Sequence, residues 1–132
     1  MAIRENVLLG FHDASHRELV YRLIQEEFAS VKLAEDIDKL LALIGTGKFN
    51  SVIMDSNFYH FPRHEPSVDS AIQVCRAYKT YVETSGIGGV LDICAISSAW
   101  DNYPIPTIDG IPSYITLRIL GKKEFMEERI RL

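Results

Sequence analysis

Cysteine is scarce in this chain of 132 residues: Cys75 and Cys94 are the only two, both in apolar stretches and without CxxC spacing. A disulfide framework or a sulfur-rich zinc site needs more thiols at closer intervals, so both read as reduced core residues. A basic excess is missing too. Fourteen Lys and Arg stand against eighteen Asp and Glu, for a net charge of -4, which argues against direct binding to nucleic acid. No apolar run approaches the length of a bilayer span. The opening MAIRENVLLGF has too short an apolar part, and no small-residue cleavage pattern, for a signal peptide. A cytoplasmic protein without membrane contact is the expectation. Gly-rich phosphate loops are lacking as well: neither GxGxxG nor the P-loop pattern follows any strand-like run, and Gly10 and Gly45 to Gly47 do not replace them. Of the four histidines, His60 and His64 are spaced four apart, but Pro62 between them and Pro66 beyond argue against a helix presenting both to zinc.

What is present is a large apolar fraction, 47% of residues, enough for one core and one domain over residues 1–132. Val7 to Phe11 is a short apolar run of the kind buried on both faces of a parallel sheet. Ser15-His16-Arg17-Glu18 then has capping-box spacing, and Leu19, Val20, Leu23, Ile24 and Phe28 recur at helical intervals. Val31 to Ala34 reads as a second strand. Asp36 is placed to cap a helix carrying Ile37, Leu40, Leu41 and Ile44, which Gly45 and Gly47 stop.

Ser51 to Asp55 is a further apolar run, ending abruptly in a carboxylate and followed by a long loop, 56–66. Ser67 is placed to cap a helix with Val68, Ala71, Ile72, Cys75 and Val82 on one face. Val90 to Ser97 reads as the fourth strand and Ser113 to Leu120 as the fifth, with a closing helix over Lys122 to Arg131. Between those two strands, Pro104, Pro106, Pro112 and Asp109-Gly110 disfavour a regular helix, so any helix there is short or absent. Strands alternating with helices predict an α/β fold: a five-stranded parallel sheet, flavodoxin-like in order, with helices on both faces. Asp92, inside the fourth strand, needs a partner there, because an unpaired buried carboxylate costs several kcal/mol.

VLLGFHDASHREL and SVIMDSNF carry a more specific likeness. The chain resembles response-regulator receiver domains of two-component signalling over nearly its whole length, with the first segment matching the first strand and helix and the second matching the strand that ends in the phosphoacceptor aspartate. The resemblance implies a protein-interaction switch whose partners are a histidine kinase or a downstream output protein, with a homodimer also compatible. It assigns Asp55 as phosphoacceptor and Ser98, or Ser97 one place earlier, as the hydroxyl that senses the phosphoryl group. The site would be lined by Phe11, His12, Asn57, Ser97, Trp100, Leu117 and Arg118. Its magnesium ion would rest on Asp13 and Asp55, and its only catalysis would be self-phosphorylation of Asp55.

Two departures mark the chain as an atypical receiver. Phe11 and His12 stand where the family carries the acidic pair that holds magnesium, and a hard cation wants oxygen ligands. Leu117 and Arg118 fall at the expected place of the phosphate-binding lysine and the residue after it, with Lys122 further along. Impaired or altered phosphoryl chemistry follows as the expectation. A fully active magnesium-dependent receiver is the alternative, and a flavodoxin-like small-ligand domain or enzyme a second.

Overall fold

The computed structural model describes residues 4–11, 13–55, 69–86, 88–97 and 110–130. Five strands form one sheet in the order β2-β1-β3-β4-β5, every neighbouring pair parallel. The strands are β1 (Arg4–Gly10), β2 (Phe28–Ala34), β3 (Ser51–Asp55), β4 (Leu91–Ser97) and β5 (Ile115–Gly121). The helices are α1 (Ala14–Ile24), α2 (Ile37–Ile44), α3 (Asp69–Ser85) and α4 (Lys122–Ile130). Parallel neighbours need crossovers, and each helix here is one crossover or the closing element, so the predicted α/β architecture holds.

The helix ends follow local chemistry. Asp36 accepts from the Lys39 backbone N–H at 2.8 Å and caps α2 as its sequence position predicts. At α1 the cap is Asp13 rather than Ser15. The Asp13 carboxylate accepts from the Ser15 and His16 backbone N–H groups at 2.7 and 3.1 Å, so the helix begins two residues earlier than a Ser15 cap implies. Gly47 has φ 70 and ends the turn after α2. A Cβ there would stand 2.1 Å from the Tyr81 hydroxyl, so both its backbone and its close neighbour call for glycine. Phe28, expected on the α1 stripe, instead opens β2, where it is 5% exposed; a helix-compatible spacing to Ile24 was outweighed by strand pairing with Arg4. Leu19, expected on the same stripe, is 43% exposed.

Strand alternation divides the core between the two sheet faces. On one face Leu8, Val52, Met54, Ile93, Ala95 and Ile119 pack against Ile37, Leu40 and Ile44 of α2 and Ala71, Val74, Cys75 and Tyr78 of α3. On the other, Val7, Leu9, Phe11, Ile53, Cys94 and Ile96 meet Val20 and Ile24 of α1 and Phe125 of α4. The two cysteines therefore sit in different clusters, both buried and reduced. Burial pushes the Cys75 thiol up to about 11. Tyr78 donates its hydroxyl to the Gly89 carbonyl at 2.6 Å and accepts from the Gly89 N–H at 3.1 Å, tying α3 to the start of β4. Asp92, the expected oddity, is half-buried and engaged with a partner.

The helix between the fourth and fifth strands, expected short or absent, falls at 98–109, outside the described residues; 110–114 are turn and coil. Ser67 and Val68 also lie outside them.

Candidate functional site

The carboxyl ends of β1 and β3 lie side by side at the centre of the sheet, where the strand order reverses and α1 departs. In open parallel sheets this crevice is where ligands are bound. Asp55 is the last residue of β3, placed there by four buried predecessors, Ser51, Val52, Ile53 and Met54. It is half-buried, and its backbone pairs with Ile96 of β4. Met54 belongs to the α2/α3 face and Ile53 to the α1/α4 face, so alternation sets Asp55 on the α1/α4 side of the sheet edge.

Phe11 and Asp55 are the residues directly after Gly10 and Met54, the last pair of the β1–β3 ladder. The Phe11 ring is 3% exposed and joins the apolar cluster under α1. The residue that the resemblance sets at an acid position is therefore core. Asp13, the nearest described carboxylate along the chain, is exposed, and one of its oxygens is held by two backbone N–H groups of α1. Arg17, one turn into α1, donates Nη1–H to the Phe11 carbonyl at 3.0 Å and ties the helix to the end of β1.

A magnesium site requires several convergent oxygen ligands in near-octahedral geometry. Among the described residues no group of three His, Cys, Asp or Glu side chains converges. Asp55 offers a carboxylate, Phe11 offers none, and Asp13 spends an oxygen on the helix cap, so this donor set does not fit the ion in the family's manner.

The register of β5 bears on the expected lysine position. Leu117 pairs with Ile93 and Arg118 with Cys94, three and two residues before Ile96, the partner of Asp55. Neither Leu117 nor Arg118 lies at the carboxyl edge. Leu120 is level with Ile96 and Gly121 with Ser97, and Lys122 opens α4 immediately beyond. The expected strand, Ser113 to Leu120, ends within one residue of the observed β5; it is the resemblance-based placing of the lysine position at Leu117 that the register does not support. Ser97 ends β4 one place past the Asp55 level. His12, Asn57, Ser98 and Trp100 lie outside the described residues.

No protein-family model matches the chain, and no curated protein does. Solved structures do. A response regulator receiver domain protein (CheY-like) from Methanospirillum hungatei is 17% identical with a TM-score of 0.58, covering 96% of this chain and 89% of its own. The N-terminal domain of a response regulator/sensory box/GGDEF 3-domain protein from Carboxydothermus hydrogenoformans is 9% identical, with a TM-score of 0.61 over 97% and 91%. A response regulator receiver domain protein from Bacillus halodurans is 12% identical, with a TM-score of 0.55 over 98% and 91%. At such identities the likeness concerns backbone arrangement. The strand order, the all-parallel sheet, the helices on both faces and the aspartate ending the central strand together give this chain the fold of response-regulator receiver domains.

Proposed function

We propose that this chain is an atypical receiver domain that works as a protein-interaction switch in two-component signalling, with Asp55 at the phosphoacceptor position and phosphoryl chemistry altered by the loss of the acidic pair. The observation that carries the reading is the placement of Asp55: half-buried, at the carboxyl end of the central strand, beside the end of β1. A carboxylate there can act as a nucleophile on phosphorus, forming an acyl phosphate as the donor's leaving group departs. Lys122, which directly follows Gly121 at the end of β5, is the lysine this reading assigns to phosphate binding. Phe11 supports the altered chemistry, because a buried ring at the end of β1 adds no oxygen with which a divalent cation could offset phosphoryl charge. Kinase-side and output-side proteins are the partners this reading implies.

Intact-mass spectrometry after incubation with acetyl phosphate, with and without magnesium, tests it. Wild type is expected to show at most a slow phosphoryl adduct that magnesium accelerates little, and Asp55→Asn none. Rapid, magnesium-dependent, Asp55-dependent modification would establish the fully active alternative. An adduct that survives in Asp55→Asn would remove Asp55 as acceptor.

A further inference from the structure

Alongside β2, on the flank of the sheet away from β3, Ala14, Arg17, Glu18 and Tyr21 of α1 and Leu33 of β2 line a groove of about 300 Å³. Tyr21 and Leu33 are each 38% exposed, two of the four large hydrophobic side chains that stand out among the described residues. β2 is an end strand, and among the described residues no strand pairs with its outer edge. Such an edge offers backbone N–H and C=O groups to an incoming extended segment.

Arg17 gives the groove a charge preference. Its guanidinium is half-buried and held by one hydrogen bond to the Phe11 carbonyl, and among the described residues no carboxylate pairs with it. Glu18, the acid nearest along the chain, is engaged elsewhere: it accepts from Arg22 at 2.8 Å. A guanidinium carries five N–H donors, so Arg17 keeps several for an incoming carboxylate, in a fork suited to it. Lys32, exposed on β2, adds positive charge to the same edge.

Spacing completes the match. Arg17 and Tyr21 are one helical turn apart, about 6 Å along the axis. In an extended chain, side chains two residues apart point to one face and are separated by about 6.7 Å. An acidic residue two positions from an apolar one therefore reaches Arg17 and the Tyr21–Leu33 wall together, while its backbone follows β2.

We propose that the α1/β2 groove docks an extended segment of a partner protein, paired to the β2 edge and carrying an Asp or Glu two residues from an apolar side chain. The groove's lining does not include Asp55.

The test uses the full chain and a fluorescein-labelled heptapeptide, Ser-Glu-Thr-Leu-Thr-Glu-Ser, whose acid–apolar spacing reads the same in either strand direction. Saturable anisotropy is expected, weakened at least tenfold by Arg17→Gln and by Leu33→Glu, and by replacing both peptide glutamates with glutamine. Leu19→Glu, on an exposed residue outside the groove, is expected to leave affinity within twofold. Thermal melts confirm that each variant folds, and Leu33→Glu tests the groove without disturbing the Arg17–Phe11 bond. No saturable binding, or binding indifferent to both Arg17→Gln and Leu33→Glu, overturns the proposal. Sedimentation showing a dimer that Leu33→Glu disrupts would overturn it too, by making a second copy the occupant.

Discussion

The Asp13 carboxylate is where the helix cap and the magnesium reading compete, and two substitutions separate them. Its oxygen accepts two α1 backbone N–H groups at 2.7 and 3.1 Å. Removing such a cap costs about 1 kcal/mol, within a usual span of roughly 0.5 to 2, whereas asparagine caps nearly as well as aspartate. Asp13→Ala is therefore expected to lower stability by about 1 kcal/mol, a fall in Tm of roughly 3 to 5 °C at this chain length. Asp13→Asn keeps the accepting oxygen and loses only the charge, which near a helix N-terminus is worth about 0.3 to 1 kcal/mol when exposed, so it is expected to cost less than Asp13→Ala, which loses both. The assay is urea unfolding followed by far-UV circular dichroism, each protein with and without magnesium. A ligand present at 100 times its Kd stabilises the folded state by about 2.7 kcal/mol; millimolar magnesium is expected to give wild type far less than that. The reasoning fails if Asp13→Asn costs as much as Asp13→Ala, or if magnesium stabilises wild type strongly and Asp13→Asn abolishes the effect.

Two further outcomes follow from burial. The Cys75 thiol is raised from its ordinary 9.0 to about 11 by burial, so between those values the unfolded chain gives up a proton that the folded chain keeps. Stability should be fully present below pH 9 and fall as pH rises toward 11, by roughly 2 kcal/mol; Cys75→Ala should flatten that slope in urea unfolding measured across this window, and an unchanged slope would show that other groups cause it. Phe125 is 2% exposed and is the one buried side chain among the described residues of α4. Phe125→Ala should cost about 3 to 5 kcal/mol, and hydrogen exchange should quicken first in α4 and β5; uniform loss of protection across the sheet would argue that α4 is not separately anchored.

Much of the architecture was legible because its signals are local. Apolar runs at Val7 to Phe11, Ser51 to Asp55 and Val90 to Ser97 are long enough for strands and too short for helices. Asp36 and Gly45 bracket α2 through backbone hydrogen bonds that reach only a few residues. Asp55 stood out for a similar reason, as a carboxylate closing a run of buried residues. Errors came where two local signals competed. Ser15 and Asp13 are both good caps, and Asp13 prevails by accepting two N–H groups. Phe28 fits a helical stripe and a strand equally well, and only its pairing with Arg4 selects the strand.

The amino-acid order by itself determined the element sequence, the α/β class and the position of Asp55, since each rests on periodicity, caps and turns that neighbouring residues decide. Tertiary structure alone decided the rest. Which β5 residue reaches the carboxyl edge depends on hydrogen-bond register with β4, a relation between segments that strand composition does not encode; that register sets Leu117 and Arg118 back in the sheet and brings Gly121 level with Ser97. The sharing of the core between two faces likewise made Phe11 a packed side chain of the cluster under α1. And only the sheet order, leaving β2 at the end with Arg17, Tyr21 and Leu33 along it, created a groove from residues that lie apart in sequence.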